Sequence, residues 1–142
     1  MHQIRMASEQ DIDKLIPALM ELRPHRSASE LRAMLLTQFK EEFKIIYIGD
    51  DHLAWSVLGF RIFNCLWSGK TLYIDDLVTM AAHSKKGYAG ELFHWIKKFA
   101  KENHCDHIAL NSGFNRRDAY RFYLNQGLYV ESLHFGRKMI EL

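Results

Sequence analysis

The sequence predicts a mixed α/β (α+β) fold, with about seven strands in one central sheet and about four helices. Several short segments alternate apolar and polar residues or are continuously apolar, as strands do, and two Ser-x-x-acid patterns precede apolar residues at helical spacing. Further along, a strand, a glycine-bearing loop, a long helix and another strand follow one another. This order is a βαβ crossover, so part of the sheet should be parallel. At 142 residues, the chain is expected to form a single domain, 1–142.

The first part of the chain is predicted to contain a strand, two helices and three further strands. The segment HQIRMA alternates as a strand, and Ser8 with Asp11 forms a capping-box pattern for the first helix. Pro17 lies inside that helix, so a kink or a split is expected there. Ser27 and Glu30 form a better capping box for the second helix. The three strands are FKIIYIG, LAWSVLGFRIF and TLYIDDLVTM.

The second part begins with a helix of about Gly87 to Asn103, which follows the loop HSKKGYAG. The segment HIALNS is the next strand, and Asn115 is expected to open a helix that Gly127 closes. The segments LYVES and LHFGRKMIEL are predicted to be the last two strands. The predicted order is therefore βααβββαβαββ.

Composition restricts the classes of function. The 19 basic and 17 acidic side chains give a net charge of +2, which is too balanced to indicate a nucleic-acid partner. No apolar run approaches the length of a membrane span, and with two cysteines and no apolar leader segment a cytoplasmic location is expected. His104, Cys105 and His107 lie close together, but no second cluster follows at zinc-like spacing. We therefore expect no metal site.

The loop before the long helix is the first candidate binding site. Gly87 and Gly90 flank Ala89 there, although glycine in a helix interior costs about 1 kcal/mol. The N-terminus of a helix exposes unpaired N–H groups and a partial positive charge, which favours phosphate, and Lys85 and Lys86 add charge. The G-x-x-G spacing matches neither Walker A nor the dinucleotide fingerprint. A glycine-bearing turn with solvated lysines is the alternative interpretation.

Two segments carry a resemblance to the GNAT family of N-acetyltransferases. In that family, a D-L-x-V strand is followed by a loop and then R/Q-x-x-G-x-G/A. Here Asp76-Leu77-Val78-Thr79 resembles the strand, and Ser84 to Ala89 resembles the loop, with Ser84 in place of arginine or glutamine. The segment NRRDAYRFYLNQGL resembles the family pattern N-x-x-x-A-x-x-F/L-Y-x-x-x-G-F, aligning Asn115, Ala119, Phe122, Tyr123, Gly127 and Leu128. Together with the element order, the resemblance covers essentially the whole chain.

The resemblance implies acetyl-CoA as co-substrate, bound in a splay between the fourth and fifth strands. It implies a β-bulge near Leu77 to Thr79 that exposes backbone groups to the pantetheine arm. The N–H of Leu77 or Val78 would be the oxyanion donor. The pyrophosphate would be held by the backbone amides of the loop and first helical turn, from Lys85, Lys86, Gly87, Tyr88, Ala89 and Gly90.

The resemblance also implies roles for Asn115, at the cofactor arm, and for Tyr123, beside the sulfur as general acid. Asn115 could instead be only a helix cap, and Tyr123 only a core aromatic. Strict alternation places Tyr73, Asp75 and Leu77 on one face of their strand. Family members often carry a base or a water-binding residue at the positions matching Tyr73 and Asp75. We therefore expect Asp75 to act as base through water or as counter-ion for the ammonium.

The implied function is transfer of an acetyl group from acetyl-CoA to a primary amine of a small molecule by direct attack. The C-terminal segment looks most like the aminoalkylphosphonate and aminoglycoside acetyltransferases, with Tyr120 in place of a histidine. A protein or peptide N-acetyltransferase and a non-catalytic acyl-CoA-binding module are the alternatives. A homodimer is a possible assembly.

Overall fold

A computed structural model of the chain describes residues 2–141. Contacts divide the chain into two compact units, Met1–Leu110 and Asn111–Leu142, which are described separately. The elements of the first unit are β1 (Arg5–Met6), a 3₁₀ turn (Glu9–Asp11), α1 (Ile12–Leu22), α2 (Ala28–Lys40), β2 (Lys44–Gly49), β3 (Ala54–Cys65), β4 (Gly69–Thr79), a 3₁₀ turn (Ala81–His83), α3 (Tyr88–Glu102) and β5 (His107–Leu110). Those of the second are α4 (Arg117–Asn125) and a 3₁₀ turn (Met139–Glu141).

The described residues form one five-stranded sheet in the order β1-β2-β3-β4-β5. The first four strands are antiparallel neighbours, and β5 pairs parallel to β4. β5 can run parallel to β4 because α3 returns the chain to the end of the sheet at which β4 begins. The predicted crossover is thus confirmed. The mixed α/β class and four α-helices are also as predicted.

The two strands predicted at LYVES and LHFGRKMIEL do not form within residues 128–141. Every residue from 129 to 141 is exposed, so the alternation of this sequence buries no face. A strand also needs a neighbour for its N–H and C=O groups, and no ladder forms in the described part of this unit. The sheet therefore has five strands and not about seven. Leu142, the last residue of the second predicted strand, lies outside the described residues.

The two predicted capping boxes, at Ser8 and at Ser27, are both present. Ser27 and Glu30 bond reciprocally at α2, with the Glu30 N–H donating to the Ser27 hydroxyl at 3.1 Å. Ser8 and Asp11 form the corresponding box before α1. The expected split at Pro17 is wrong, because α1 is continuous through it. Pro17 is exposed, and burial of its apolar neighbours outweighs the lost backbone bond.

Helices cover both faces of the sheet. On one face, α1 and α2 pack against β2 and β3, and the partly buried Val78 and Met80 complete that cluster. On the other face lies α3, whose Phe99 ring meets Phe60 of β3 with centroids 5.4 Å apart. Both clusters lie within the first unit and hold β4 between them.

The β-bulge of β4 lies at Asp75. Gly59 of β3 pairs with Asp76 whereas Phe60 pairs with Ile74, so Asp75 is an extra residue in β4. The bulge predicted near Leu77 to Thr79 is therefore wrong by two residues. The register of a ladder depends on both strands, and the sequence of β4 alone did not reveal it.

Candidate active site

The edge of β4 that faces β5 is paired along only part of its length. Pairing runs from Thr71, opposite His107, to Ile74, opposite Leu110, while β4 continues to Thr79. The incomplete pairing of the fourth and fifth strands agrees with the predicted splay. Backbone groups beyond Ile74 on this edge consequently have no partner in β5.

Alternation identifies which backbone groups point to this edge. The Met80 N–H donates to the Trp55 carbonyl of β3 at 2.8 Å. In an antiparallel ladder alternate residues point to the same neighbour, so Val78 also directs its N–H and C=O toward β3. Leu77 and Thr79 direct theirs to the unpaired edge. Of the two residues predicted as oxyanion donor, the geometry favours Leu77 over Val78.

The side chains of this segment are used for packing. Val78 joins the apolar cluster under α1 and α2. The Thr79 hydroxyl lies 2.7 Å from the Ser56 hydroxyl on β3. Thr79 occupies the position of the valine in the D-L-x-V pattern. Packing therefore accounts for the side chains of Val78 and Thr79, whereas the backbone of Leu77 and Thr79 is available to a ligand at this edge.

The loop before α3 has the geometry of an anion site. Lys85 and Gly87 both have positive φ, 61° and 82°, and Gly87 is the N-cap of α3. The amides of Tyr88, Ala89 and Gly90 lie in the first turn, where the helix itself provides no acceptor. A Cβ placed on Gly87 or Gly90 would have no atom within 4 Å, so both backbones face open space. This open cradle fits a pyrophosphate.

Side chains around the loop fix its position. The Ser84 hydroxyl donates to the Ala81 carbonyl at 2.9 Å, so Ser84 closes the 3₁₀ turn. The buried ring of Tyr88 lies 5.8 Å from Trp55, which stacks on His83 at 4.8 Å. Tyr88 is therefore an anchor, and only its amide can contribute to binding.

Asp75 and Asp76 lie side by side on the bulge, and each meets an arginine. Arg23, at the end of α1, donates to Asp76 Oδ1 from Nη2 at 2.8 Å and from Nε at 3.2 Å. It also donates to the Asp75 carbonyl at 3.2 Å, which ties α1 to the bulge. Asp76 is thus bound to Arg23 and has a structural role.

The Asp75 carboxylate is held in a poorer arrangement. Its Oδ2 lies 3.2 Å from Arg61 Nε, but both atoms are buried and neither has a well-aligned hydrogen bond within the described residues. Burial raises the pKa of Asp75, the Arg61 charge opposes this shift, and Asp76 adds to it. The bulge also breaks the strict alternation that was expected to place Tyr73, Asp75 and Leu77 on one face. Tyr73 and Asp75 both approach Arg61, but Leu77 pairs with Leu58, which lies on the opposite face of β3 from Arg61.

The second unit contains Asn115 and Tyr123. Helix α4 begins at Arg117 with Arg116 as N-cap, so Asn115 lies in the preceding turn and the predicted helix start is wrong. The 113–116 turn is held from within the helix, since the Tyr120 hydroxyl donates to the Gly113 carbonyl at 2.7 Å. This bond lets the helix begin after Asn115.

Tyr123 lies on α4, partly buried, with its ring 5.6 Å from that of Phe122. Burial raises the pKa of the Tyr123 phenol, with Arg116 opposing the shift, so the hydroxyl stays protonated near neutral pH. The helix ends as predicted at Gly127, where Leu128 donates to the Tyr123 carbonyl and Gly127 to that of Leu124.

Sequence reasoning missed Arg23, Arg61 and Trp55. Arg61 did give a signal, because it is a charged residue inside the otherwise apolar run LGFRIF. The partners of Arg23 lie more than 50 positions away, and sequence spacing gives no indication of them. Within residues 2–141, no group of three or more His, Cys, Asp or Glu side chains could hold a metal, and no helix is long and apolar enough to cross a membrane.

Comparison with known proteins identifies the family. The model of the acetyltransferase (GNAT) family matches residues 12–128, which include parts of both units. The chain belongs to the GNAT family. It is an acetyl-CoA-dependent N-acetyltransferase, and the resemblance seen in its motifs is confirmed.

Individual relatives agree with this family. An uncharacterized N-acetyltransferase, YhdJ, of Bacillus subtilis (strain 168) is 26% identical over 138 residues, covering 96% of this chain and 97% of that protein. The crystal structure of a transcriptional regulator from Bacillus halodurans C-125 is 25% identical, with a TM-score of 0.76 over 96% of this chain and 97% of its own. The aminoglycoside N-acetyltransferase AAC(6')-Iy in complex with CoA has a TM-score of 0.82 at 14% identity, over 96% and 94% of the two chains, and so shares the fold.

Proposed function

We propose that this GNAT chain acetylates a primary amine of a small molecule by direct attack on acetyl-CoA. The observation that carries the proposal is the unpaired edge of β4, which presents the backbone of Leu77 and Thr79 next to the bulge at Asp75. An edge strand with free N–H and C=O groups pairs with an extended amide-bearing chain, and the pantetheine arm is such a chain. The start of α3 supplies the amides for the pyrophosphate.

The amine must lose a proton before it can attack. An alkyl ammonium has a pKa near 10, so only about 0.1% is neutral at pH 7. Asp75 is the proposed base, acting through a water molecule, or the counter-ion that holds the ammonium. Burial raises the pKa of Asp75, which makes it a better proton acceptor than an ordinary carboxylate, while the Arg61 charge opposes the shift.

The remaining steps use a backbone donor and a phenol. When the amine nitrogen forms its bond to the carbonyl carbon, the Leu77 N–H is proposed to stabilise the negative oxygen. The adduct nitrogen then loses its second proton to water, the carbon–sulfur bond breaks, and the thiolate takes a proton from the Tyr123 hydroxyl. Burial raises the pKa of the Tyr123 phenol, so the hydroxyl keeps its proton until the thiolate forms, and it regains a proton from water afterwards. Asn115 is proposed to contact the cofactor arm.

A small-molecule acceptor is supported by the resemblance of the C-terminal segment to aminoalkylphosphonate and aminoglycoside acetyltransferases, and an aminoglycoside acetyltransferase of the same fold is compatible with it. Purified protein is incubated with acetyl-CoA and either small amines or peptides, and thiol release is measured. Release with small amines supports the proposal, and release only with peptides replaces it by peptide acetylation. If acetyl-CoA binds but no amine of either kind releases thiol, the small-amine proposal is wrong.

A further inference from the structure

Arg61 is surrounded by three aromatic rings on the strand face that carries Asp75. Its guanidinium carbon lies 5.4 Å from the ring centroid of Phe43, 5.2 Å from that of Phe63 and 5.0 Å from that of Tyr73. Arg61 and Tyr73 are directly paired across β3 and β4. We call Arg61, Phe43, Phe63 and Tyr73 the Arg61 platform. Three rings around one guanidinium hold it in a fixed direction.

The outer part of the Arg61 side chain is exposed. Its Nε is buried and faces Asp75 Oδ2 at 3.2 Å, yet 43% of the side chain is exposed. Nη1 and Nη2 donate to no acceptor among residues 2–141. An arginine fork of this kind matches the two oxygens of a carboxylate. Arg61 therefore has packing partners and a charge partner for its Nε, and its two Nη atoms remain available to a ligand beside Asp75.

We propose that the acceptor carries a carboxylate next to its amine, and that Arg61 binds this carboxylate while Asp75 meets the ammonium. The inference rests on the proposed function, because it takes Asp75 as the group that receives the amine. Because Arg61 and Asp75 are in direct contact, with Nε 3.2 Å from Oδ2, an acceptor that reaches both side chains is proposed to carry its two charges close together, one or two carbon atoms apart. The acceptor is accordingly an α- or β-amino acid.

The neighbouring charges favour this class of acceptor. Asp76 is bound by Arg23, so it does not offer a second free carboxylate for a polycation. Arg61 itself repels a second ammonium, which disfavours diamines and polyamines. The cavity beside Arg61 is small, about 70 Å³, and its walls include Glu42 and Lys44, whose charges oppose each other. The apolar part of the acceptor would lie on the platform.

The test compares acceptors that differ only in the carboxylate. L-Phenylalanine, L-leucine and β-alanine are each assayed beside their primary amides, and kcat/KM is taken from thiol release. The wild-type chain is expected to prefer each acid by at least about tenfold, the usual effect of losing a hydrogen bond to a charged group. The amide has the less basic amine and is more often neutral, so intrinsic reactivity works against the expected preference.

Variants assign the preference to one side chain. Arg61→Gln is expected to reduce the acid-to-amide ratio of kcat/KM to near one, and Arg61→Lys, which keeps the charge without the fork, to an intermediate value. Changes at Asp75 caused by the loss of Arg61 affect both acceptors of a pair, so the ratio isolates carboxylate binding. Arg23→Gln is the matched control, because it removes an equally exposed arginine from the adjacent aspartate and should retain the ratio.

The outcomes separate this inference from the function on which it rests. If the wild-type chain acetylates amides as well as acids, or if Arg61→Gln retains the preference, the carboxylate site is wrong and small-amine acetylation stands. If no small amine is acetylated, the proposed function fails. Calorimetry with L-phenylalanine and its amide in the presence of CoA then decides the binding site, and equal affinities would overturn it. Thermal unfolding confirms that each variant is folded.

Discussion

Replacing Gly90 with alanine should move stability and acetyl-CoA affinity in opposite directions. Gly90 is the third residue of α3, and a Cβ there would meet no atom within 4 Å. Alanine therefore fits without a clash and is the better helix former by about 0.5–1 kcal/mol. For a chain of this size, the melting temperature without ligand should rise by roughly 2–4 °C.

The same methyl group would occupy the space that the pyrophosphate needs. Loss of one hydrogen bond between a backbone amide and a charged phosphate costs about 1.5–3 kcal/mol, or roughly 10- to 100-fold in affinity. Calorimetric titration with acetyl-CoA measures this loss. Gly127→Ala is the control: Gly127 also faces open space but has φ of 90°, so its substitution should lower stability and leave affinity unchanged. Wild-type affinity in Gly90→Ala would exclude the phosphate cradle.

Three further predictions concern single groups. Gly87→Val should weaken acetyl-CoA binding at least about tenfold by calorimetry, because the side chain fills the cradle at a residue with φ of 82°. Lys85→Ala should weaken binding less, because the charge of Lys85 is exposed and screened by salt. Asp75→Asn should lower turnover and remove the acidic limb of the pH–rate profile, a limb set above the ordinary carboxyl range by the raised pKa; an unchanged profile would rule out Asp75. Tyr123→Phe should lower turnover by about 10²–10⁴-fold and leave acetyl-CoA affinity unchanged. If the variant keeps more than a third of wild-type turnover while chemistry is rate-limiting, Tyr123 is only a packing residue.

Local patterns in the sequence predicted most of the first unit. The capping box at Ser27 places its acceptor three residues from the donor, and the apolar periodicity of α3 needs no distant partner. The loop before α3 was equally local, because the left-handed conformation of Gly87 and the open space around Gly90 follow from residues next to each other. These features were predictable since their physical causes lie within a few positions.

The failures depend on distant partners. Alternation predicted strands after Gly127, but a pattern forms a strand only when a neighbour accepts its backbone bonds and a core covers its apolar side. The exception is the helix predicted from Asn115, which begins at Arg117: the Tyr120 hydroxyl bonds to the nearby Gly113 carbonyl, and the cap pattern gave no sign of this local side-chain bond. Arg23 and Arg61 take their importance from the two aspartates of β4, which the sequence separates from them.

The position of the bulge determines which backbone groups of β4 point to its unpaired edge. On β3, Trp55 bonds with Met80, so by alternation Gly59 bonds with Asp76 and Arg61 with Tyr73. Before the bulge, odd-numbered residues of β4 consequently face β3, and after it even-numbered residues do. Without the extra residue at Asp75, Val78 would point to the unpaired edge and Leu77 would be bonded within the sheet. One inserted residue therefore both turns the N–H of Leu77, the proposed oxyanion donor, toward the unpaired edge and brings Asp75 to Arg61.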